Sequence, residues 1–545
     1  MLYTRRRKSG TTQDVNLLEF TRWHRSPEPA ATGYGANAPD SSNDTPTNET
    51  RLSALAPNAR VPFLEYAVNQ TARPSRDIPL DSHAPQHQDS PQLKKSLGPW
   101  TLWGLGVGYV ISGEYFGWNL GLPAGGSLGL LIAFLLVTTM YVTFVFSYAE
   151  LACAIPRAGG GFVYGLRGLG HFGGYLTGVA QVIEFVFAPP AIAMAVGANA
   201  RIWFPDADPR QIAMICYLLF TLLNIWGVQQ AATFELVVAL LAVGEILLFA
   251  SLVGPHASLN RFTANSWPNG WMGCFAALPF AVWFYLAIEG VANVAEEARH
   301  PQRDIAIGFG SAILTLVVLS TTVMVCAVGV GGWERIVYVP SDLTVGSNGQ
   351  VIVAPGSTPS DSPLPLALTQ VLTKNHPMSH LLIGIGGLGL IASLNGIILI
   401  AGRAIFEMGR VGFLPRFLGV ASPRTGTPIA ALVANFCVGV ASIQWLNTDK
   451  LITLAALGAV TLYPLSMQTL INLRRSEPEL HRPFKTPFYP VFPRIAQVLS
   501  ISVLVTMLCV NFDRSKVQSS VTVWYAAVLL GALVYYWLAL KPRPK

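Results

Sequence analysis

Four glutamates stand inside long apolar stretches of this 545-residue chain: Glu114, Glu184, Glu245 and Glu289. A charged residue at the centre of a bilayer costs about 2.5–3.5 kcal/mol or more, so such a residue is functional by default. The competing reading is a protonated glutamate that only ties helices together. Their missing partner says more. No Lys, Arg or His stands in the middle of any apolar stretch, and Arg403 comes nearest, at the end of one. An interior with uncompensated negative charge suits a cation, whether a substrate ammonium, a proton or Na⁺.

Two of these glutamates sit beside a glycine. Val110-Ile111-Ser112-Gly113-Glu114-Tyr115-Phe116-Gly117 and Trp283-Phe284-Tyr285-Leu286-Ala287-Ile288-Glu289-Gly290 each place the pair in mid-stretch. Glycine permits unwound backbone. Unwound backbone at membrane depth survives where it lines a cavity or is buried in protein. The two breaks lie five apolar segments apart, the spacing expected of an inverted repeat with its site at the repeat interface. Carbonyls freed at Ser112, Gly113 and Ile288 then join Glu114 and Glu289 around a cation. Glu114 also occupies the positive pole of a half-helix, where a substrate carboxylate would otherwise bind. The site therefore favours an amine without a carboxylate over a zwitterionic amino acid. Tyr115, Phe116, Trp118, Trp283, Phe284 and Tyr285 surround the same point. Cation–π contact is open to them, but packing or gating is the more frequent use of aromatics in such segments. Glu184 and Glu245 are candidates for cation recognition or for coupling to a driving ion, whereas Glu150 and Glu235, near segment ends, read as loop ion pairs or helix caps.

The elements that position these residues follow from composition. The chain is 52% hydrophobic and only 12% charged, half the charge of a soluble domain. That excludes an ordinary soluble enzyme and a disordered protein. Each bilayer span needs roughly 20 apolar residues. Twelve stretches qualify, near 97–121, 127–152, 173–199, 209–228, 232–254, 274–295, 305–331, 379–407, 427–445, 449–470, 492–511 and 521–540. Alternation of period two is absent, which argues against a β-barrel. An even number puts both termini on one side. With that side cytoplasmic, the inner flanks hold 18 Lys and Arg and the outer loops 8, as the positive-inside rule demands. The net charge of +7 thus reflects topology, and no basic stripe with interleaved aromatics points to nucleic acid. Residues 332–378 form one long outer loop, a lid or a tolerated insertion. Residues 1–95, rich in Ser, Pro, Asn, Asp and Thr, read as a disordered cytoplasmic tail. A short amphipathic helix is conceivable at 17–23, and the sequons at Asn43, Asn48 and Asn69 stay unglycosylated if they face the cytoplasm. Six scattered cysteines have no metal-ligand spacing, and neither a phosphate-binding loop nor a hydrolase motif is present. Metal and cofactor sites are therefore not expected, nor is enzymatic activity.

Several longer motifs carry a resemblance. Ser147-Tyr148-Ala149-Glu150-Leu151, followed by Ile155-Pro156-Arg157-Ala158-Gly159-Gly160, resembles the second-helix exit of amino acid–polyamine–organocation (APC) transporters. Asn293-Val294-Ala295-Glu296-Glu297 with Pro301-Gln302-Arg303-Asp304-Ile305 resembles their loop after helix six. Gly402-Arg403 through Gly412-Phe413-Leu414-Pro415, and Pro483-Phe484-Lys485 with Pro487 and Pro490, are similar to later loops of the superfamily. Within it, Ile111 through Asn119 and Ala180-Gln181-Val182-Ile183-Glu184-Phe185 look like the ethanolamine permease branch. The resemblance covers 97–540. It implies an all-α integral membrane fold of twelve transmembrane helices, a LeuT-type five-plus-five inverted repeat with helices one and six broken, spanning a transporter domain over 96–545. It implies substrate contacts at Ser112, Gly113, Glu114, Tyr115, Glu184, Phe284, Ile288, Glu289 and Gly290. Three departures stand out: the long N-terminal tail, Ala306 where relatives often have Pro, and no Lys on helix five, where many relatives carry their coupling group and this chain has Glu245. The expected function is a secondary transporter importing ethanolamine or a similar small amine across the plasma membrane (the inner membrane in a prokaryote) by alternating access, coupled to H⁺ or Na⁺. A general amino-acid permease and a non-transporting nutrient sensor of the same fold are the alternatives.

Overall fold

A computed structural model describes residues 95, 97–157, 159–226, 231–347, 350–373, 376–512 and 520–540. The tail with its sequons and the 17–23 segment lies outside the described residues, as do Lys541, Arg543 and Lys545. The chain is almost wholly helical. The longer helices are α1 (Pro99–Val110), α2 (Ser112–Tyr115, a single turn continuing α1), α3 (Leu122–Ala154), α4 (Gly161–Ala200), α5 (Pro209–Trp226), α6 (Ala231–Val253), α7 (Gly270–Trp283), α8 (Pro301–Gly331), α9 (Pro377–Val411), α10 (Ile429–Trp445), α11 (Thr448–Ser476), α12 (Val491–Val510) and α13 (Val521–Tyr535). Among the described residues, ten helical segments are long and apolar enough to cross a membrane. Ile429–Trp445 is apolar but shorter.

Local sequence sets the boundaries. Proline occupies the first turn of α1, α3, α8 and α9, where its missing N–H costs nothing. Gly412 ends α9 in the left-handed conformation. Gly126 (φ 65°) and Gly170 (φ 74°) bend α3 and α4 near their starts, close to the expected span boundaries at 127 and 173.

Helix α1 packs on α6, α8 and α9, while α7 packs on α3 and α11. Helix α4 lies between α9 and α11, α3 meets α8, and α5 meets α10. Leu, Val and Phe fill the interior, and similar residues such as Leu135, Leu240, Val318 and Leu530 face outward. An outer surface that apolar suits lipid rather than water. The chain is a multi-pass membrane protein.

Two connections tie distant segments together. Leu97 donates its N–H to the Glu297 carbonyl (2.9 Å) and accepts from Arg299 N–H (2.8 Å), a one-residue parallel bridge joining the chain before α1 to the segment before α8. The loop before α9 contains a small hairpin, β1 (Leu343–Val345) against β2 (Val351–Val353), with Leu343 opposite Val353. It is pinned at two points: Asn119 Nδ2 donates to the Ser360 carbonyl (2.8 Å), and Thr448 Oγ1 to Asp361 Oδ2 (2.7 Å). The loop is thus fastened to the segment after α2 and to the first turn of α11.

Candidate functional site

The first break lies later than the glycine–glutamate pair suggests. Ile111 keeps helical angles, so α1 runs on into α2. The chain then extends at Phe116 (φ −159°) and turns at Gly117 (φ 93°). The Ser112 carbonyl is consequently not freed, because it accepts Phe116 N–H at 3.3 Å. The Ser112 hydroxyl accepts from Ser393 Oγ on α9 at 2.8 Å. Gly113 serves closeness rather than unwinding. A Cβ there would lie 2.5 Å from the Trp283 carbonyl oxygen and 3.1 Å from Phe284 Cα, so only glycine lets the two broken segments meet.

The second break has an unexpected pivot. Helix α7 stops at Trp283, Ala287 adopts φ 74°, and residues Ile288–Glu297 continue as a 3₁₀ helix. A left-handed alanine costs roughly 1–2 kcal/mol, and strain of this kind gathers at functional sites. Glycine at 290 is not the hinge. Its hydrogen lies against Ile400 and the Tyr109 ring, where a Cβ would come within 2.7 Å of Ile400 Cδ1. Ile288 opens the 3₁₀ segment and is buried.

The carboxylates fall into separate groups. Glu114 is fully buried; its Oε1 accepts from Ser320 Oγ of α8 (2.8 Å) and its Oε2 has no partner. Glu184 Oε1 accepts the N–H of the strained Ala287 (3.2 Å), and its Oε2 has no partner. The Glu184 and Glu289 carboxyls are close enough to act on one another electrostatically. Glu289 Oε2 lies 3.3 Å from the Tyr463 hydroxyl, which is 2.9 Å from that of Tyr141, and Glu289 Oε1 has no partner. Gly458 of α11 lets the α4 backbone approach closely at Glu184, since a Cβ there would lie 2.5 Å from Glu184 N. Glu245 stands apart from Glu184 and Glu289, accepting from Tyr115 Oη at 2.7 Å.

Three buried carboxylate oxygens around the breaks therefore lack donors, and none of these four glutamates makes an ion pair among the described residues. Trp283 Nε1 is a buried donor without an acceptor in the same region. Each of these oxygens can accept an N–H from an ammonium, and Trp283 Nε1 can donate one hydrogen bond. The aromatics build walls. Trp118 stacks on Phe284 (5.8 Å between centroids, 16°), Phe116 meets Trp283 edge-on (5.4 Å), and Tyr285 Oη bonds Thr138 Oγ1 (2.8 Å).

Arg403 turns toward Glu297 (Nη2 to Oε1, 3.0 Å) and the Asn293 carbonyl rather than toward the buried carboxylates. Glu150 makes the loop ion pair expected of it: Arg474, Arg482 and both polar groups of Thr486 converge on its carboxylate. Glu235 does not. It is buried, its Oε1 has no partner, and it forms no ion pair among the described residues. Sequence reading also missed Ala287, Ser320 and Tyr463. A hydroxyl in mid-span, as at Ser320 and Tyr463, was the available signal; nothing in the sequence marks Ala287.

Comparison with known proteins adds a family. The amino acid permease profile matches residues 97–534. An uncharacterized transporter of Rhizobium meliloti is 28% identical, over 75% of this chain and 86% of its own. The branched-chain amino acid permease of Bacillus subtilis is 23% identical, over 82% and 94% respectively. The methylthioribose transporter of the same bacterium is 24% identical, over 86% and 98%.

Proposed function

Since the chain belongs to the amino acid permease family and is a transporter rather than an enzyme, we propose that its cargo is ethanolamine or a similar small cationic amine. The observation that carries this reading is the set of donorless oxygens, Glu114 Oε2, Glu184 Oε2 and Glu289 Oε1, which no Lys, Arg or His among the described residues pairs. An ammonium supplies three N–H donors and one positive charge. A zwitterion would also bring a carboxylate beside Glu114, at a cost set by like-charge repulsion in a weakly screened interior. Tyr115, Phe284 and Trp118 close the sides.

The same proposal covers the architecture. We take the divided helix Pro99–Tyr115 and the shorter Ile429–Trp445 as spans, which brings the ten long segments to twelve. The packing supports a five-plus-five repeat. Exchanging spans one to five with spans six to ten, position by position, turns the α1–α8 contact into α7–α3, α1–α6 into α7–α11, and α4–α11 into α9–α6. Import proceeds across the plasma membrane with both termini cytoplasmic, the region from 96 onward acting as the transporter domain and 1–95 as a tail. Movement of the two halves about the breaks exposes the site to each side in turn. The driving ion is H⁺ or Na⁺, with Glu184 and Glu245 as candidate carriers.

A general amino-acid permease is the second reading, favoured by the name of the Bacillus subtilis branched-chain relative. Uptake of labelled ethanolamine into proteoliposomes separates the two. We expect saturable uptake that alanine and leucine barely compete, and a loss of at least tenfold in Glu114→Gln. Competition by alanine as strong as by unlabelled ethanolamine, or full uptake by Glu114→Gln, defeats the amine reading.

A further inference from the structure

The segment joining α9 to α10 carries charge of one sign only. From Met408 to Pro428 it holds Arg410, Arg416 and Arg424 and no Asp, Glu or Lys. Arg416 and Arg424 are exposed, and neither forms an ion pair among the described residues. The same segment presents apolar side chains: Phe417 is 63% and Val420 61% exposed. Between them and the first turns of α10 runs an apolar groove of about 670 Å³, lined by Phe417, Val420, Pro423, Ile429, Val433 and Ala434 among others. Each of the two arginines adjoins a lining residue in sequence, Arg416 next to Phe417 and Arg424 next to Pro423. Backbone contacts hold the groove in shape. Arg416–Gly419 is a 3₁₀ turn packed on α9, where a Cβ on Gly409 would lie 2.6 Å from Gly419 N. The next turn is closed by Ser422 N–H to the Thr427 carbonyl and Gly426 N–H to the Ser422 carbonyl, both 2.9 Å.

Two tryptophans give the depth of this groove in the membrane. Thr427 Oγ1 donates to the Ile225 carbonyl (3.0 Å) at the end of α5, beside Trp226, which is 79% exposed. At the far end of α10 stands Trp445, 76% exposed. Exposed Trp at span ends marks the membrane–water interface. Helix α10 has 17 residues, about 26 Å at 1.5 Å per residue, against a hydrocarbon core of about 30 Å. With Trp445 at one interface, Ile429 lies in the acyl layer near the other, and the arginine-bearing segment lies at headgroup level. A soluble anion would leave Phe417 and Val420 uncovered, and a lipid without net charge would leave the arginines uncompensated. We propose that this groove binds one phospholipid of net negative charge, its acyl chain along the start of α10 and its phosphate between Arg416 and Arg424. None of the lining residues belongs to α1, α2 or α7, so the lipid site is separate from the amine site. The proposal rests on α10 being a span, and is independent of the cargo and of the driving ion.

The test uses the purified full-length chain, delipidated in detergent. Native mass spectrometry titrates phosphatidylglycerol against phosphatidylcholine with the same acyl chains. Each arginine beside an anionic lipid contributes about fivefold in affinity, so wild type should prefer phosphatidylglycerol by about 25-fold. The double variant Arg416→Gln/Arg424→Gln should bind both lipids alike. Arg335→Gln, across the membrane in the loop before α9, should keep the preference. Val433→Trp fills the groove, and displacing two buried CH₂ groups of the chain should weaken phosphatidylglycerol roughly tenfold. Equal affinity of wild type for the two lipids overturns the site, as does a preference that survives in the double variant or full affinity in Val433→Trp. Glycerol phosphate competing as well as the intact lipid also overturns it, because the groove would then contribute nothing. A photoactivatable phosphatidylglycerol that labels wild type within 416–434 supports the site without any variant, and labelling confined to other segments overturns it. Cys437, exposed midway along α10, reads the premise separately: its labelling by a membrane-impermeant maleimide in proteoliposomes defeats the span reading, whereas protection with no lipid preference defeats the lipid site alone.

Discussion

Gly113→Ala tests the joint between the two broken segments. The added Cβ would stand 2.5 Å from the Trp283 carbonyl oxygen, 3.1 Å from Phe284 Cα and 3.2 Å from the Phe284 oxygen. All three are backbone atoms, so no side-chain rotation relieves the contact. Ordinary separation begins near 3.4 Å, so α2 and the end of α7 must part by about 0.9 Å. Overpacking of this kind costs about 1–3 kcal/mol. The displacement falls between Glu114 and the second break, so amine affinity should fall with stability. Gly387 provides the control. It lies inside α9 with nothing within 4 Å of its would-be Cβ, and alanine there should gain up to about 1 kcal/mol of helix propensity. Thermal unfolding of the purified protein, followed by fluorescence-detected gel filtration, reads both. Gly113→Ala should lower the midpoint and weaken binding, while Gly387→Ala should leave the midpoint equal or higher. Equal midpoints and equal affinities in all three proteins would refute the close-approach argument.

Two further perturbations address the periphery. Burial pushes the Asp361 carboxyl up to about 6, the Thr448 hydrogen bond only partly opposing it and Asp449 adding to it. The group is raised in the folded state, so its contribution is full below the ordinary value of 3.8 and is lost as pH rises to about 6. Asp361→Asn should therefore match wild type in unfolding midpoint near the lower value and exceed it above the higher one, and a constant difference across that window contradicts the assignment. Glu150→Ala removes the acceptor shared by Arg474, Arg482 and Thr486. Breaking one side of a buried pair costs about 3–5 kcal/mol, which should appear as a lowered midpoint and as protease cleavage within 477–490.

The sequence made the helical segments legible because lipid leaves the backbone few options. Span boundaries at 127 and 173 fall within three residues of Gly126 and Gly170, where positive φ bends the helices. The breaks were legible only to within a turn. Glycine beside glutamate marks permissive backbone, yet in the fold Gly113 and Gly290 serve close packing, while Gly117 and Ala287 carry the unusual angles. An alanine at φ 74° has no sequence signature, because the surrounding structure imposes it. Carboxylates in apolar runs were visible, but their grouping was not. That Glu184 lies near Glu289 while Glu245 meets Tyr115 depends on how α4 and α6 rotate against their neighbours. Glu235 misled because nearness to a segment end suggested solvent, whereas two glycines on other helices enclose it.

The bridge at Leu97 bears on how this protein can be mapped by mutation. Its two hydrogen bonds, to Glu297 and from Arg299, use only main-chain atoms. Any L-residue that accepts an extended conformation can make them, so side-chain scanning across 97 and 297–299 will report tolerance in a place where the first segment is physically stapled to the sixth. Tolerance there measures the anonymity of the backbone, and only a change to the peptide group itself, such as proline or an ester in place of the amide at 97, reveals what that staple holds.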